Sequence, residues 1–203
     1  MRGVSEFNVV LAGVGGQGIL LAAEILGASA VRDGLNVRVS EIHGMAQRGG
    51  AVISNVRIGS RVLAATVMEG QADVLLGFEP VETLRSLSFA SEKTLVIMNS
   101  QGIMPTELTA KMQSYPTLEE VEKKIRRFTE KMVVVDVVKL AERAGNVLAQ
   151  NIVLLGVLAA AAHVPVEKES LMEALGELVP AKHLDVNVKA FELGYKYGKE
   201  AKF

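Results

Sequence analysis

The segment Gly13-Val14-Gly15-Gly16-Gln17-Gly18 constrains this chain more than any other. It lies between an apolar, β-branched run, Phe7 to Val14, and a mostly apolar helical run, Gly18 to Arg32. A buried strand that ends in glycines and passes at once into a helix is the opening unit of an open α/β sheet. The glycines let the chain turn tightly and let the helix lie close against the strand. Asp33-Gly34 stops the helix, with Gly34 as a left-handed cap, and Asn36 to Ile42 forms a second strand. This β-loop-α-β order predicts an α/β fold: a doubly wound, mostly parallel, Rossmann-like sheet with helices on both faces.

Further along, Ala51 to Ile58 alternates well enough for a third strand. Gly59-Ser60 is a turn, and Arg61 to Val67 is expected to return as a strand antiparallel to it. Ala72 to Phe78 and Thr94 to Met98 are buried strands, separated by a helix that Pro80 opens and that runs to about Ala90. Residues 103–131 are more charged and form an excursion: an extended stretch, then a helix from about Leu118 to Glu130. Met132 to Asp136 is the last strand. The rest is helical. Val147 to His163 is apolar nearly all round, as a buried helix is. Lys168 to Leu178 puts Leu171, Leu175 and Leu178 on one face. His183 to Lys199 puts Leu184, Val188, Phe191 and Tyr195 on one face. No repeat or linker interrupts the pattern, so residues 1–203 read as one domain with a helical C-terminal region.

Composition narrows the chemistry. Aromatic residues make up 4% of the chain and Trp is absent, so Ala, Val, Leu and Gly carry the packing. The formal net charge is −1, and the basic run Lys123 to Arg127 is flanked by Glu119, Glu120, Glu122 and Glu130, so no nucleic-acid footprint is expected. There is no cysteine: the chain forms no disulfide and cannot supply thiolates to an iron–sulfur cluster. The first residues lack the pattern of a signal peptide. The longest apolar run, Ile152 to Ala162, falls short of the roughly 20 residues a membrane span needs. A cytoplasmic protein with no membrane contact is expected.

Two loops carry the candidate chemistry. In the first, Gly13, Gly15, Gly16, Gln17 and Gly18 match a G-x-G-x-x-G pattern at a helix N-terminus, whose free N–H groups and partial positive charge suit an anion. Glu41, near the end of the second strand, is placed to take a ribose hydroxyl. A nicotinamide or flavin dinucleotide, another anion, a partner chain and close packing alone all remain compatible with this loop. The second loop, His43-Gly44-Met45-Ala46-Gln47-Arg48-Gly49-Gly50, leaves a strand at its carboxyl end, where open α/β sheets place their sites. His43, Gln47 and Arg48 bring an imidazole, a carboxamide and a guanidinium together. Gly49 and Gly50 let the backbone approach a ligand or partner. Arg48 can pair with a phosphate or carboxylate, and His43 can exchange a proton near neutral pH. His163 and His183 read as structural. No HExxH, Walker A lysine or G-x-S-x-G elbow is present, so neither a metal site nor a catalytic residue is assigned.

Together the loops resemble a family. Gly-Val-Gly-Gly-Gln-Gly-Ile after the first strand resembles the gamma-type domain of the 2-oxoacid:ferredoxin oxidoreductases. Ser40-Glu41-Ile42-His43-Gly44-Met45-Ala46-Gln47-Arg48-Gly49-Gly50-Ala51-Val52 is similar to the form found in the indolepyruvate branch of that family. Asn151 to Gly156 resembles its late helix, so the likeness spans nearly the whole chain. The resemblance implies a subunit, inactive alone, of an enzyme that oxidatively decarboxylates a 2-oxoacid to an acyl-coenzyme A and passes electrons to ferredoxin. It implies that thiamine diphosphate and the iron–sulfur clusters sit on a large partner subunit. No cofactor is expected on this chain beyond a contact to coenzyme A, and ferredoxin is reached only through the partner. An isolated chain is expected to self-associate through the surface meant for its partner. The alternatives are the gamma subunit of a pyruvate or 2-oxoglutarate enzyme, a stand-alone NAD or FAD enzyme, and an adaptor that touches no ligand.

Overall fold

The computed structural model describes residues 6–44, 50–103 and 114–202. Six strands form one sheet: β1 (Phe7–Val14), β2 (Asn36–His43), β3 (Ala51–Gly59), β4 (Val74–Gly77), β5 (Leu95–Asn99) and β6 (Met132–Val135), in the order β2-β3-β1-β4-β5-β6. The helices are α1 (Ile19–Arg32), α2 (Pro80–Arg85), α3 (Leu118–Ile125), α4 (Val137–Ala144), α5 (Gln150–Ala161), α6 (Lys168–Leu178) and α7 (Ala181–Glu200). Alternate strand residues feed opposite faces. Val9, Leu11, Val74, Leu76 and Ile97 pack under α1 and α4 to α7. Val10, Ala12, Leu75, Val96 and Met98 pack under the residues of α2 and α3 and the short helical turn Leu87–Phe89. The α/β sheet with helices on both faces thus forms as the pattern predicts.

The strand order departs from the simplest reading. β2 does not pair with β1. β3 lies between them and is antiparallel to both, with Val39 opposite Val56 and Val56 opposite Val9. β1, β4, β5 and β6 pair in parallel. The β1-α1-β2 crossover therefore skips one place, which a β2–β3 hairpin fills. β2 becomes an edge strand, with charged and polar residues on an exposed flank, as an unpaired edge requires.

Four expected elements change. Arg61 to Val67 forms no strand. The Arg57 guanidinium reaches across and donates to the carbonyls of Ala64 and Thr66 at 3.0 and 3.1 Å, so those groups are satisfied without a ladder. The helix after Pro80 closes at Arg85, and a 3-10 turn completes the span to Phe89. The helix expected to reach Glu130 ends at Ile125; only its first turns carry a capping box, between Thr117 and Glu120. The apolar helix expected from Val147 begins there as a 3-10 turn and is α-helical only from Gln150 to Ala161, with His163 beyond its end at φ 48°. The extended part of the 103–131 excursion falls largely on residues 104–113, outside the described residues.

The tightest packing lies where α5 crosses α7. A Cβ on Gly156 would stand 2.2 Å from the Phe191 carbonyl oxygen, and one on Gly194 would stand 2.1 Å from that of Val153. Only glycine lets these two backbones come together.

Candidate functional site

The chain turns away from β1 in two directions. α1 follows β1 on one face of the sheet, and α2 follows β4 on the other. The carboxyl ends of these adjacent strands therefore part, and a crevice opens between them. This is the topological switch point, where open α/β sheets bind their ligands. The loop Gly13–Gly18 leaves β1 on one side of it. Phe78 and Glu79 leave β4 on the other.

The conformation of the first loop is set by Gln17. Its Oε1 accepts from the Val14 N–H at 2.8 Å, and its Nε2 donates to the Phe78 carbonyl at 2.9 Å. The side chain thus ties the end of β1 to the end of β4. Asn99, from the end of β5, donates to the same Phe78 carbonyl at 3.2 Å. Gly13 makes room for this clamp: a Cβ there would lie 2.5 Å from Gln17 Oε1 and 2.7 Å from Phe78 Cβ. Gly18, in the left-handed region at φ 73°, turns the chain into α1, and its carbonyl accepts from Asn151 Nδ2 at 3.2 Å. Phe78, Asn99 and Asn151 were not among the residues expected to build the site. Asn151 stood in the motif of the late helix, but nothing in the sequence aims it at Gly18.

The second loop joins the first. The Gly15 N–H donates to the Gly50 carbonyl at 2.9 Å, and the Gly44 N–H donates to that of Ala51 at 2.9 Å. Gly15 and Gly50 are thus brought together at the carboxyl edge. Gln47, Arg48 and Gly49 lie outside the described residues. Glu41 and His43 are exposed at the end of β2 and face each other, with His43 Nε2 at 3.3 Å from Glu41 Oε2. They do not meet the first loop. β3 stands between β2 and β1, which at about 4.8 Å per strand separates their ends by roughly 10 Å. In the dinucleotide arrangement the acidic residue ends the strand beside β1. Here β3 takes that place, and Glu41 stands one strand further from Gly13–Gly18 than in that arrangement.

The crevice holds a cleft of about 250 Å³. Gly15, Gly16 and Gln17 form one side, Phe78 the floor, and Ile103 and Leu148 the far rim, and none of its described lining residues is charged. It is smaller than the roughly 300–1,000 Å³ of a site that engulfs a whole cofactor. Such a space suits a neutral amide-bearing or apolar group better than an adenine dinucleotide. Leu148 is 81% exposed and Ile103 45% exposed, so the rim is apolar and open.

Behind Ile103 lies a feature that the motif search passed over. Glu79, 2% exposed, caps α2 by accepting from the Glu82 N–H at 2.8 Å. Its other oxygen accepts from the Ile103 N–H at 3.4 Å and from the Tyr115 hydroxyl. Burial pushes its carboxyl above the usual range; the amide donors of Glu82 and Ile103 pull the other way, and the nearby Glu82 charge adds to the rise. The available signal was a glutamate directly before a proline at a strand's carboxyl end. A second cleft of about 240 Å³ opens beyond it, lined by Pro80, Ser100, Gly102, Tyr115, Pro116 and Leu118. Among the described residues no group of three His, Asp or Glu gathers to hold a metal ion. Nor is any helix among them long and apolar enough to cross a membrane.

The fold and this crevice define a class. Residues 8–197 match the family model described as pyruvate ferredoxin/flavodoxin oxidoreductase, and the chain belongs to that family. Within it, the chain is 46% identical over 198 residues to the indolepyruvate oxidoreductase subunit IorB of Thermococcus kodakarensis, covering 97% of this chain and 98% of that one. The gamma subunit of a keto/oxoacid ferredoxin oxidoreductase from Geobacter sulfurreducens superposes with a TM-score of 0.70 at 25% identity, over 96% of this chain and 99% of that one. A 2-oxoglutarate:ferredoxin oxidoreductase from Magnetococcus marinus, solved with 2-oxoglutarate, coenzyme A and succinyl-CoA, shares the fold at a TM-score of 0.73 and 20% identity. There 98% of this chain matches only 32% of a longer polypeptide.

Proposed function

We propose that this chain is the small, cofactor-poor subunit of an indolepyruvate oxidoreductase. The assembled enzyme removes the carboxylate of an aryl pyruvate as carbon dioxide. It joins the acyl group to the sulfur of coenzyme A and passes the two electrons to ferredoxin. The observation that carries this reading is the 46% identity, end to end, with the subunit IorB. The absence of cysteine supports it, since this chain cannot ligate an iron–sulfur cluster. The clusters and thiamine diphosphate belong to the large partner subunit, and the complex works in the cytoplasm. Residues 1–203 act as one domain within it.

The working face in this reading is the carboxyl edge. None of the described lining residues of the cleft between Gly15 and Leu148 is charged, so phosphate recognition is assigned to Arg48 and to backbone N–H groups of the two loops. Arg48 either meets a phosphate of coenzyme A or docks on the large subunit, and Gln47, Gly49 and His43 belong to the same contact. The test is co-expression with the large subunit, followed by anaerobic assay of ferredoxin reduction dependent on aryl pyruvate and coenzyme A. Activity is expected only with both chains present. Arg48→Ala should then raise the KM for coenzyme A in an intact complex, or abolish co-purification, according to which contact it makes. A large subunit that works equally well alone refutes the reading. Without the partner, the exposed rim around Leu148 is expected to drive self-association of the isolated chain.

A further inference from the structure

Glu79 is used by none of the chemistry above, yet it is a buried carboxyl group directly behind the rim of the switch-point crevice. Its position is unusual in what it connects. Ile103, whose amide it holds, forms the rim of the glycine-loop cleft. Tyr115, whose hydroxyl it holds, lines the second cleft. The same carboxylate caps α2 through the Glu82 N–H. The start of α2 and two residues distant in sequence, Ile103 and Tyr115, therefore end on one side chain.

We propose that Glu79 is a positioning residue of the assembled enzyme: by holding Ile103 and Tyr115 on one carboxylate it fixes the wall shared by the two clefts, and so sets the affinity of the carboxyl edge for coenzyme A. This rests on the carboxyl edge being the working face of the complex. The neighbours leave Glu79 little alternative. Glu82 is engaged by Arg85 at 2.7 Å, and Asn99 is spent on the carbonyls of Phe78 and Gln101. Without the carboxylate, the Ile103 amide and the Tyr115 hydroxyl lose a common acceptor. The rim of one cleft and the wall of the other then move independently. Glu79 touches no reacting atom in this arrangement, so its loss acts on binding rather than on the chemical step.

Two readouts test this, one of which does not depend on activity. The chain has three tyrosines and no tryptophan, so its emission is that of tyrosine alone. A tyrosine hydroxyl hydrogen-bonded to a carboxylate is quenched. Tyr115→Phe should therefore hardly change the emission of the full chain, but should remove about a third of it in a Glu79→Gln background, where Tyr115 is released. An equal loss in both backgrounds overturns the anchor. In the reconstituted complex, Glu79→Gln and Tyr115→Phe should each raise the KM for coenzyme A roughly five- to tenfold, the scale of one ordinary hydrogen bond, with kcat kept within about twofold. The double variant should be no worse than the worse single one. An unchanged KM beside an intact fluorescence signature overturns the affinity claim. If the wild-type chain itself restores no activity to the large subunit, the functional reading fails and takes the affinity claim with it; the fluorescence result still decides the anchor.

Discussion

Glycine does opposite work in two regions of this molecule. At the α5–α7 crossing, Gly156 and Gly194 are pressed against backbone carbonyls, and a Cβ at either would stand about 2 Å from one. At the tip of the first loop, Gly16 adopts φ 99° and a Cβ there would meet nothing within 4 Å. One region is closed by its missing side chains. The other is left open by them. Packing alone explains the first. It does not explain the second, where the space in front of the backbone adjoins the cleft. The positive φ of Gly16 calls for glycine, and the open space in front of it leaves room for something outside the chain to come close.

The difference can be broken from either side. Gly194→Val should have the largest of these effects. The added atoms meet backbone rather than a movable side chain, so the helices must separate, at a cost of about 3 kcal/mol or more. For a chain of this length that corresponds to roughly 10 °C in Tm, readable in a thermal melt. An unchanged melt would show that the crossing is looser than described. Gly16→Ala should cost only about 1 kcal/mol, the strain of a side chain at positive φ, because no atom is displaced. Its effect in the assembled complex is the sharper measure. If kcat/KM falls far more than the lost stability accounts for, coenzyme A or the partner occupies the space a methyl group would fill; if the two fall together, this glycine serves only the turn.

The smallest expected effect concerns Glu79 and has a definite sign. Burial raises its folded-state pKa above the ordinary carboxyl value, so the folded chain holds the proton more tightly than the unfolded one. Its contribution to stability is then fully present below the ordinary value and is lost as pH rises through the raised one. Asp73 is raised for the same main reason, burial, and titrates in the same sense. The two are separated by substitution. Glu79→Gln removes one titration, so the Tm of the variant relative to wild type should climb as pH increases from about 4 to 8. A difference that stays flat or falls would mean the carboxyl is not held in a desolvated site.

Local structure was largely legible in the sequence, and strand order was not. β1, α1 and β2 end within a residue of where their glycines and apolar periodicity put them, because those signals act over a few residues. Nothing local says that β3 enters between β2 and β1. That choice is made by which exposed edges find partners, and it moved Glu41 away from the first loop. Arg61 to Val67 carried a strand pattern that the Arg57 side chain overrode by taking the carbonyls. The glycine pattern marked the site, but the inward turn of Gln17 depends on Phe78, 61 residues away. At the α5–α7 crossing a signal was available and missed: Gly194 and Gly198 stand four apart, on one helix face.

The reversed strand also bears on how the site comes together in time. β2 and β3 form a hairpin, with His43 opposite Val52 near its tip, so their pairing can start from contacts close in sequence. β1 must instead find a partner far along the chain, with Phe7 opposite Ile58. Contact order predicts that docking of the hairpin onto β1 is slower than hairpin formation, and the same docking seats Gly50 against Gly15. The contact that joins the two glycine loops stands at the end of this ladder nearest in sequence, with Val14 opposite Ala51, so it forms only when the hairpin docks on β1.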